Sequence, residues 1–254
     1  MKYLRILLIF LVPALITVAM LLTLGRPEMY FYALGGSIVA EGILLFFLFP
    51  RQERTFDVIN IAFPVVVQMI LAWIVLFFVE DPYSRYAIVL AHVCLQYIFL
   101  INVYYFLYKF ERYQKRALPH ITSYMGIINV FYSATIVYAL GFYLEYPIWY
   151  TVWPLLLLIL LILIQNLWIH DISIKQRWYY VAVIMLVLTQ LIFVIQILPT
   201  VYFVNAFMVV VYYYLAVHLG LAVLQKEMTR RELIRNGVIV VVVILLVLLT
   251  TRWR

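Results

Sequence analysis

Charge is what this sequence has least of. Asp, Glu, Lys and Arg make up 11% of its 254 residues, against roughly 25% in a soluble domain whose surface must be wetted. Too few charges remain to cover a water-exposed surface of this size, so lipid is the main solvent. Cysteine is nearly absent too, with Cys94 alone inside a hydrophobic run. A single cysteine excludes an intramolecular disulfide and a thiolate metal cluster within one chain. In that setting it reads as a small buried apolar side chain. Motifs are also missing. The chain has no G-x-x-x-x-G-K-[ST] loop, which excludes ATP hydrolysis by that route, and no G-x-S-x-G elbow or haem-ligand pair. These patterns point to no catalytic residue, no metal and no cofactor.

What the chain does have is hydrophobic length. Apolar residues make up 68% of it, with mean hydropathy +1.09. Apolar runs lie near residues 6–24, 29–49, 58–79, 87–108, 121–144, 147–169, 178–198, 200–224 and 238–251. Each of the first eight holds about 19–25 residues, enough to cross about 30 Å at roughly 1.5 Å per residue. Backbone groups inside a bilayer must be satisfied within their own segment, which makes each run a helix. The expected fold is an all-α, polytopic transmembrane helical bundle with eight or nine spanning helices. Its loops are short, it has no soluble domain, and residues 1–254 form one integral membrane domain. Lys2 and Arg5 precede the first run as they would in a signal peptide, but the run has the length of an uncleaved spanning helix.

Charge placement tests this topology independently. With the N-terminus in the cytoplasm and alternating sides, the cytoplasmic connections collect Arg51, Arg54, Lys109, Arg112, Lys115, Arg116, Lys175, Arg177, Lys226, Arg230, Arg231 and Arg235. The other face holds only Arg26 and Arg85 before the tail, beside Glu28, Glu80, Asp81 and Glu145. That asymmetry is the positive-inside pattern, and it predicts a multi-pass cell (plasma) membrane protein with a cytoplasmic N-terminus. The net charge of +7 then reads as contact with anionic lipid headgroups at the cytoplasmic face. The expected partners are the lipid bilayer and other proteins in the membrane, with no nucleic acid. The 22 Tyr and 6 Trp include boundary residues such as Trp149, Trp153, Trp168 and Trp178, where interfacial anchors belong. The ninth run is short for a span, but a capping box at Thr229-Arg230-Arg231-Glu232 could start its helix earlier and lengthen it.

One acidic residue falls deep within a span. Glu41 lies close to the middle of the second run, where an ionised carboxylate costs about 2.5–3.5 kcal/mol on insertion scales. Ala33, Ser37 and Glu41 recur at i+4 with Gly36 and Ala40 beside them. This places Glu41 on a small-residue face suited to close helix packing, pointing into the bundle. It can carry a proton or bind a cation there, or it can fix helix register by a neutral hydrogen bond. At similar depth stand Gln68, Gln96, Ser133, Gln190 and Tyr212 with Tyr213 and Tyr214. Together Glu41, Gln68, Gln96, Gln190 and Tyr212 form the candidate intramembrane polar site. The sixth and ninth runs are uniformly apolar and are expected on the lipid-facing outside.

The histidines divide by depth. His92 lies one turn from Gln96 on the same helical face, and His120, His170 with Asp171, and His218 fall toward the cytoplasmic side. No H-x-x-x-H or H-E-x-x-H spacing joins them into a metal motif. Three function classes follow, in order of preference. The first is a non-enzymatic membrane module such as a scaffold, assembly or sensor subunit. The second is a small secondary transporter or permease component, proton-linked through Glu41. The third is a membrane-embedded lipid-acting enzyme using the cytoplasmic-side histidines.

Overall fold

The computed structural model describes residues 2–49, 55–109, 113–114, 117–170, 172, 174–197, 200–224, 229, 234, 236–238, 241–242 and 245. Eight long helices follow one another: α1 (Lys2–Gly25), α2 (Tyr30–Leu48), α3 (Thr55–Phe78), α4 (Pro82–Tyr108), α5 (Ala117–Leu144), α6 (Ile148–Ile169), α7 (Ile174–Ile197) and α8 (Tyr202–Leu224). A single 3-10 turn, Pro27–Met29, joins α1 to α2. All eight are long and apolar enough to cross a bilayer, and the protein is a membrane-embedded helical bundle. The ninth run and its capping box lie mostly outside the described residues; Thr229 is described and is not helical, whereas Ile234, residues 236–238, 241–242 and 245 are. Cys94, expected as a buried side chain, is exposed on α4, because a lipid-facing position is as apolar as a core one.

The helix starts show how local chemistry sets the boundaries. α4 begins at Pro82, ahead of the apolar run near 87, because Asp81 caps it. The Asp81 carboxylate accepts hydrogen bonds from the Ser84 backbone N–H and from the Ser84 hydroxyl, each 2.7 Å. Pro82 occupies the first turn, where a missing N–H costs nothing. These bonds hold the Asp81 carboxyl below its ordinary range. Pro13, Pro64 and Pro154 lie inside helices.

The chain divides into two compact units, Met1–Asn129 and Val130–Arg254, with the boundary inside α5. In the first unit α1 packs on α2 and α4, and α3 packs on α4 and α2. The buried stripe of α1 is Ile9, Val12, Ile16, Met20 and Thr23, and that of α4 is Val89, His92, Gln96, Phe99, Leu100 and Val103. These three- and four-residue steps mark one face of a helix. Leu7, Leu11, Leu15, Val18 and Leu22 of α1 remain exposed, as lipid-facing positions do in a structure without its bilayer. The Asn129 amide donates to the Pro64 carbonyl over 3.1 Å, tying the first half of α5 to the Pro64 turn of α3. At one end of the unit Arg5 donates to the Phe47 carbonyl (3.0 Å) and lies 4.3 Å from the Tyr108 ring centroid. Tyr108 in turn donates to the Leu48 carbonyl over 2.6 Å. The Lys109 ammonium sits 5.5 Å from the Tyr105 ring, within cation–π range.

In the second unit α7 packs on α6 and on α8. The sequence expectation for α6 is overturned here. Half of its span is buried, through Val152, Leu155, Leu156, Ile159, Ile162, Leu163 and Leu167. Uniform apolarity suits a lipid face and a protein core equally well, so composition could not tell them apart. α6 also carries a buried polar contact, with Asn166 Nδ2 donating to the Tyr213 hydroxyl of α8 over 3.1 Å. At the other edge of α7, Tyr180 donates to the Ala216 carbonyl over 2.6 Å.

Candidate functional site

Of the polar residues that depth in the sequence marks, the first unit holds Glu41, Gln68 and Gln96 and joins Glu41 to Gln96. Glu41 lies on the buried side of α2 with Ser37, Leu44 and Leu48. It is 1% exposed, although most of α2 faces outward. Ser37 is buried beside it, as the small-residue face predicts, but Gly36 is exposed, and a Cβ there would meet nothing within 4 Å, so Gly36 has no part in that packing. What fixes Glu41 is Gln96 on α4, whose Nε2 donates to Glu41 Oε2 over 2.6 Å. The bond links two helices separated in the chain by the whole of α3.

His92 lies one turn before Gln96 on the same face of α4. Gln68 is on α3, which pairs with α4, and the two residues are equidistant in sequence from Glu80 at the turn. Gln68, His92 and Gln96 are all 0% exposed. Several of their polar atoms have no hydrogen-bond partner among the described residues: both amide atoms of Gln68, both ring nitrogens of His92, Gln96 Oε1 and Glu41 Oε1. Leaving such a group unpaired costs about 1–3 kcal/mol, so a concentration of them in one unit calls for a physical account. Trp73 of the same helix as Gln68 is also fully buried with its indole nitrogen unpartnered, and Tyr30 donates to its carbonyl over 2.7 Å.

Chemically, Glu41 is one carboxyl with one amide donor. It can hold a proton, or accept a second hydrogen bond at Oε1. Among the described residues no group of three His, Cys, Asp or Glu side chains could hold a metal ion.

The remaining candidates are placed differently. Gln190 is exposed on α7, on the face opposite the buried stripe of Val181, Ile184, Leu188, Ile192 and Ile195. It points outward and is no part of a buried site. Tyr212 is half-buried, whereas its neighbour Tyr213 is fully buried and accepts the Asn166 bond. Ser133 is buried and donates to the Val130 carbonyl of its own helix. His120 is exposed on α5 in the first unit, and His218 is exposed on α8 in the second, stacked on Tyr214 at 5.5 Å. Asp171 lies outside the described residues.

Sequence reasoning passed over one feature entirely. The second unit holds a cavity of about 410 Å³. It lies where α5 and α7 end and α6 and α8 begin. Its lining includes Tyr138, Phe142, Glu145, Tyr146, Gln196 and Tyr202. The available signal was the crowding of aromatic residues around the lone acid Glu145, which depth alone assigned to a loop. Against known protein families, curated proteins and solved structures, the chain matches none.

Proposed function

We propose that the protein is a non-enzymatic module of a cell membrane, a scaffold, assembly or sensor subunit, with its N-terminus in the cytoplasm. The observation that supports this reading best is the Glu41–Gln96 bond. The one deep carboxyl of the first unit is 1% exposed and is held by a side chain from another helix. That is how a buried polar pair fixes helix register. In this orientation Arg5 and Lys109 face the cytoplasmic headgroups, and anionic lipid is the partner their charge suits. Other membrane proteins are the partners through which such a module would act.

A second reading, a proton-linked transporter component, is favoured by the unpartnered atoms of Glu41, Gln68 and His92. Buried polar groups of this kind are commonly bridged by water, and a wetted line would give Glu41 access to protons. One experiment separates the two. The full chain is reconstituted into liposomes containing a pH-sensitive dye, and a pH step is imposed. The module reading expects dissipation no faster than in protein-free vesicles. A faster dissipation that Glu41→Gln abolishes would replace it with the transporter reading.

A further inference from the structure

We infer that the cavity of the second unit is a binding site for a small organic ammonium ion, with Glu145 as its counter-charge. At about 410 Å³ the cavity falls within the roughly 300–1,000 Å³ of small-molecule sites. It is too large for a bare metal ion. Tyr138 and Tyr202 are buried in its floor, and Phe142, Glu145, Tyr146 and Gln196 are exposed at its rim. Phe142 and Tyr202 already stand 5.7 Å apart. Aromatic faces attract cations through their quadrupoles, and cages of such rings are a common means of holding quaternary ammonium groups.

The sign of the site comes from one residue. Among the described residues of the lining Glu145 alone carries a formal charge at neutral pH, and none is Lys, Arg or His. Two helices end and two begin around it, so their terminal dipoles offset one another and the carboxylate decides. Lack of a base also argues against an occupant with a phosphate, which would sit beside Glu145 uncompensated. A free ammonium compound fits better than a zwitterionic lipid headgroup.

Glu145 is also conformationally unexpected. Its φ of 52° makes it the one positive-φ non-glycine residue among those described. It follows the last turn of α5, the position glycine usually takes at a helix end. A side chain costs about 1–2 kcal/mol in that conformation, yet the backbone holds it, with Tyr146 N–H donating to the Leu140 carbonyl over 3.4 Å. Glycine would make the same helix end at lower cost, so what the cavity accounts for is the choice of Glu at this position. Here the cost places a carboxylate at the rim of the cavity.

The test uses choline as probe, titrated calorimetrically into the purified full chain in a neutral maltoside micelle. Its neutral carbon isostere, dimethylbutanol, serves as the control. Saturable choline binding is expected, with the isostere at least about tenfold weaker and Glu145→Gln weakening choline by about tenfold. Gly141→Leu, whose Cβ would meet nothing closer than the Tyr146 carbonyl at 3.9 Å, is expected to fill the cavity and abolish binding. Glu145→Gly is expected to lose binding while raising the melting temperature, since glycine takes positive φ without strain. The inference is overturned if choline does not bind saturably, if the isostere binds equally, or if Glu145→Gln leaves affinity unchanged. Nanodiscs identify the source of the ammonium group. Equal choline affinity in phosphatidylcholine and in galactolipid discs, the expected result, assigns the site to a free ammonium compound. Weaker binding in phosphatidylcholine assigns it to the lipid headgroup.

Discussion

The ring of Tyr180 occupies the space that a side chain at Gly220 would need. A Cβ built on Gly220 would overlap the Tyr180 hydroxyl oxygen and two of its ring carbons. The hydroxyl is not free to withdraw, because it donates to the Ala216 carbonyl one turn earlier on α8. Close approach of α7 and α8 therefore depends on a glycine, as small residues commonly allow between membrane helices.

Gly220→Ala is accordingly expected to destabilise the second unit by about 1–3 kcal/mol, the usual cost of overpacking. Tyr180→Phe should cost about 1 kcal/mol through the lost hydrogen bond. Combining Gly220→Ala with Tyr180→Ala should cost less than the two singles added together, because both act on one contact. Thermal unfolding in detergent micelles measures all of them, and strict additivity would contradict the contact.

The Glu41–Gln96 bond predicts an asymmetry between its partners. Glu41→Gln keeps a side-chain amide oxygen that can accept from Gln96 and should cost under about 1 kcal/mol. Gln96→Leu leaves the carboxyl with no donor and should cost about 1–2 kcal/mol. Unfolding by titration with dodecyl sulfate gives both values. Equal costs would mean that the carboxyl has other partners.

His92 tests whether the buried polar atoms of the first unit are dry. If they are, His92→Leu removes two unpaired nitrogens and should be neutral or stabilising, since replacing an unsatisfied polar group by an apolar one removes its desolvation penalty. That outcome is expected for a module without a proton path. A loss of more than about 1 kcal/mol would instead show that water pairs with the ring.

Asp81 sets a pH dependence outside the membrane span. Its bonds to Ser84 lower its folded-state pKa, so the unfolded chain binds a proton more readily than the folded one. The cap then contributes fully above the unfolded value of about 3.9 and is lost as pH falls through the lower folded value. Melting temperatures of the protein should fall in this acidic window, and Asp81→Asn should fall less. Because Asn caps helices nearly as well, the two proteins should agree closely near pH 7.

Much of the architecture is legible from segment length, and less of the site. Eight runs became eight helices because the bilayer thickness sets a length that few other contexts demand. The start of α4 was misplaced since Asp81 and Pro82 act through capping, which an apolar count ignores. Glu41 is marked by depth and helical phase together, and Gln96 by depth. Gln190 was selected by depth alone, and phase would have corrected it: Leu188 and Ile192 lie on the buried stripe, leaving Gln190 about half a turn away. α6 offered little phase to read because nearly every residue is apolar, and Thr151 near its start with Gln165 and Asn166 near its end are the polar residues that mark the buried side. The cavity depends on how four helix ends meet, and no local pattern encodes that.

The Glu41–Gln96 bond also has a consequence for synthesis of the chain. The two residues are 55 positions apart, and ribosomes add about 5–20 residues per second. Glu41 therefore emerges roughly 3–11 s before the side chain that will hold it. During that interval the α1–α2 hairpin carries a buried-type carboxyl with no α4 to receive it. The newborn protein is most exposed to membrane chaperones and quality-control proteases at this stage. In a chain with Gln96→Leu, α4 arrives without the donor, so its defect would register as lowered abundance in the cell.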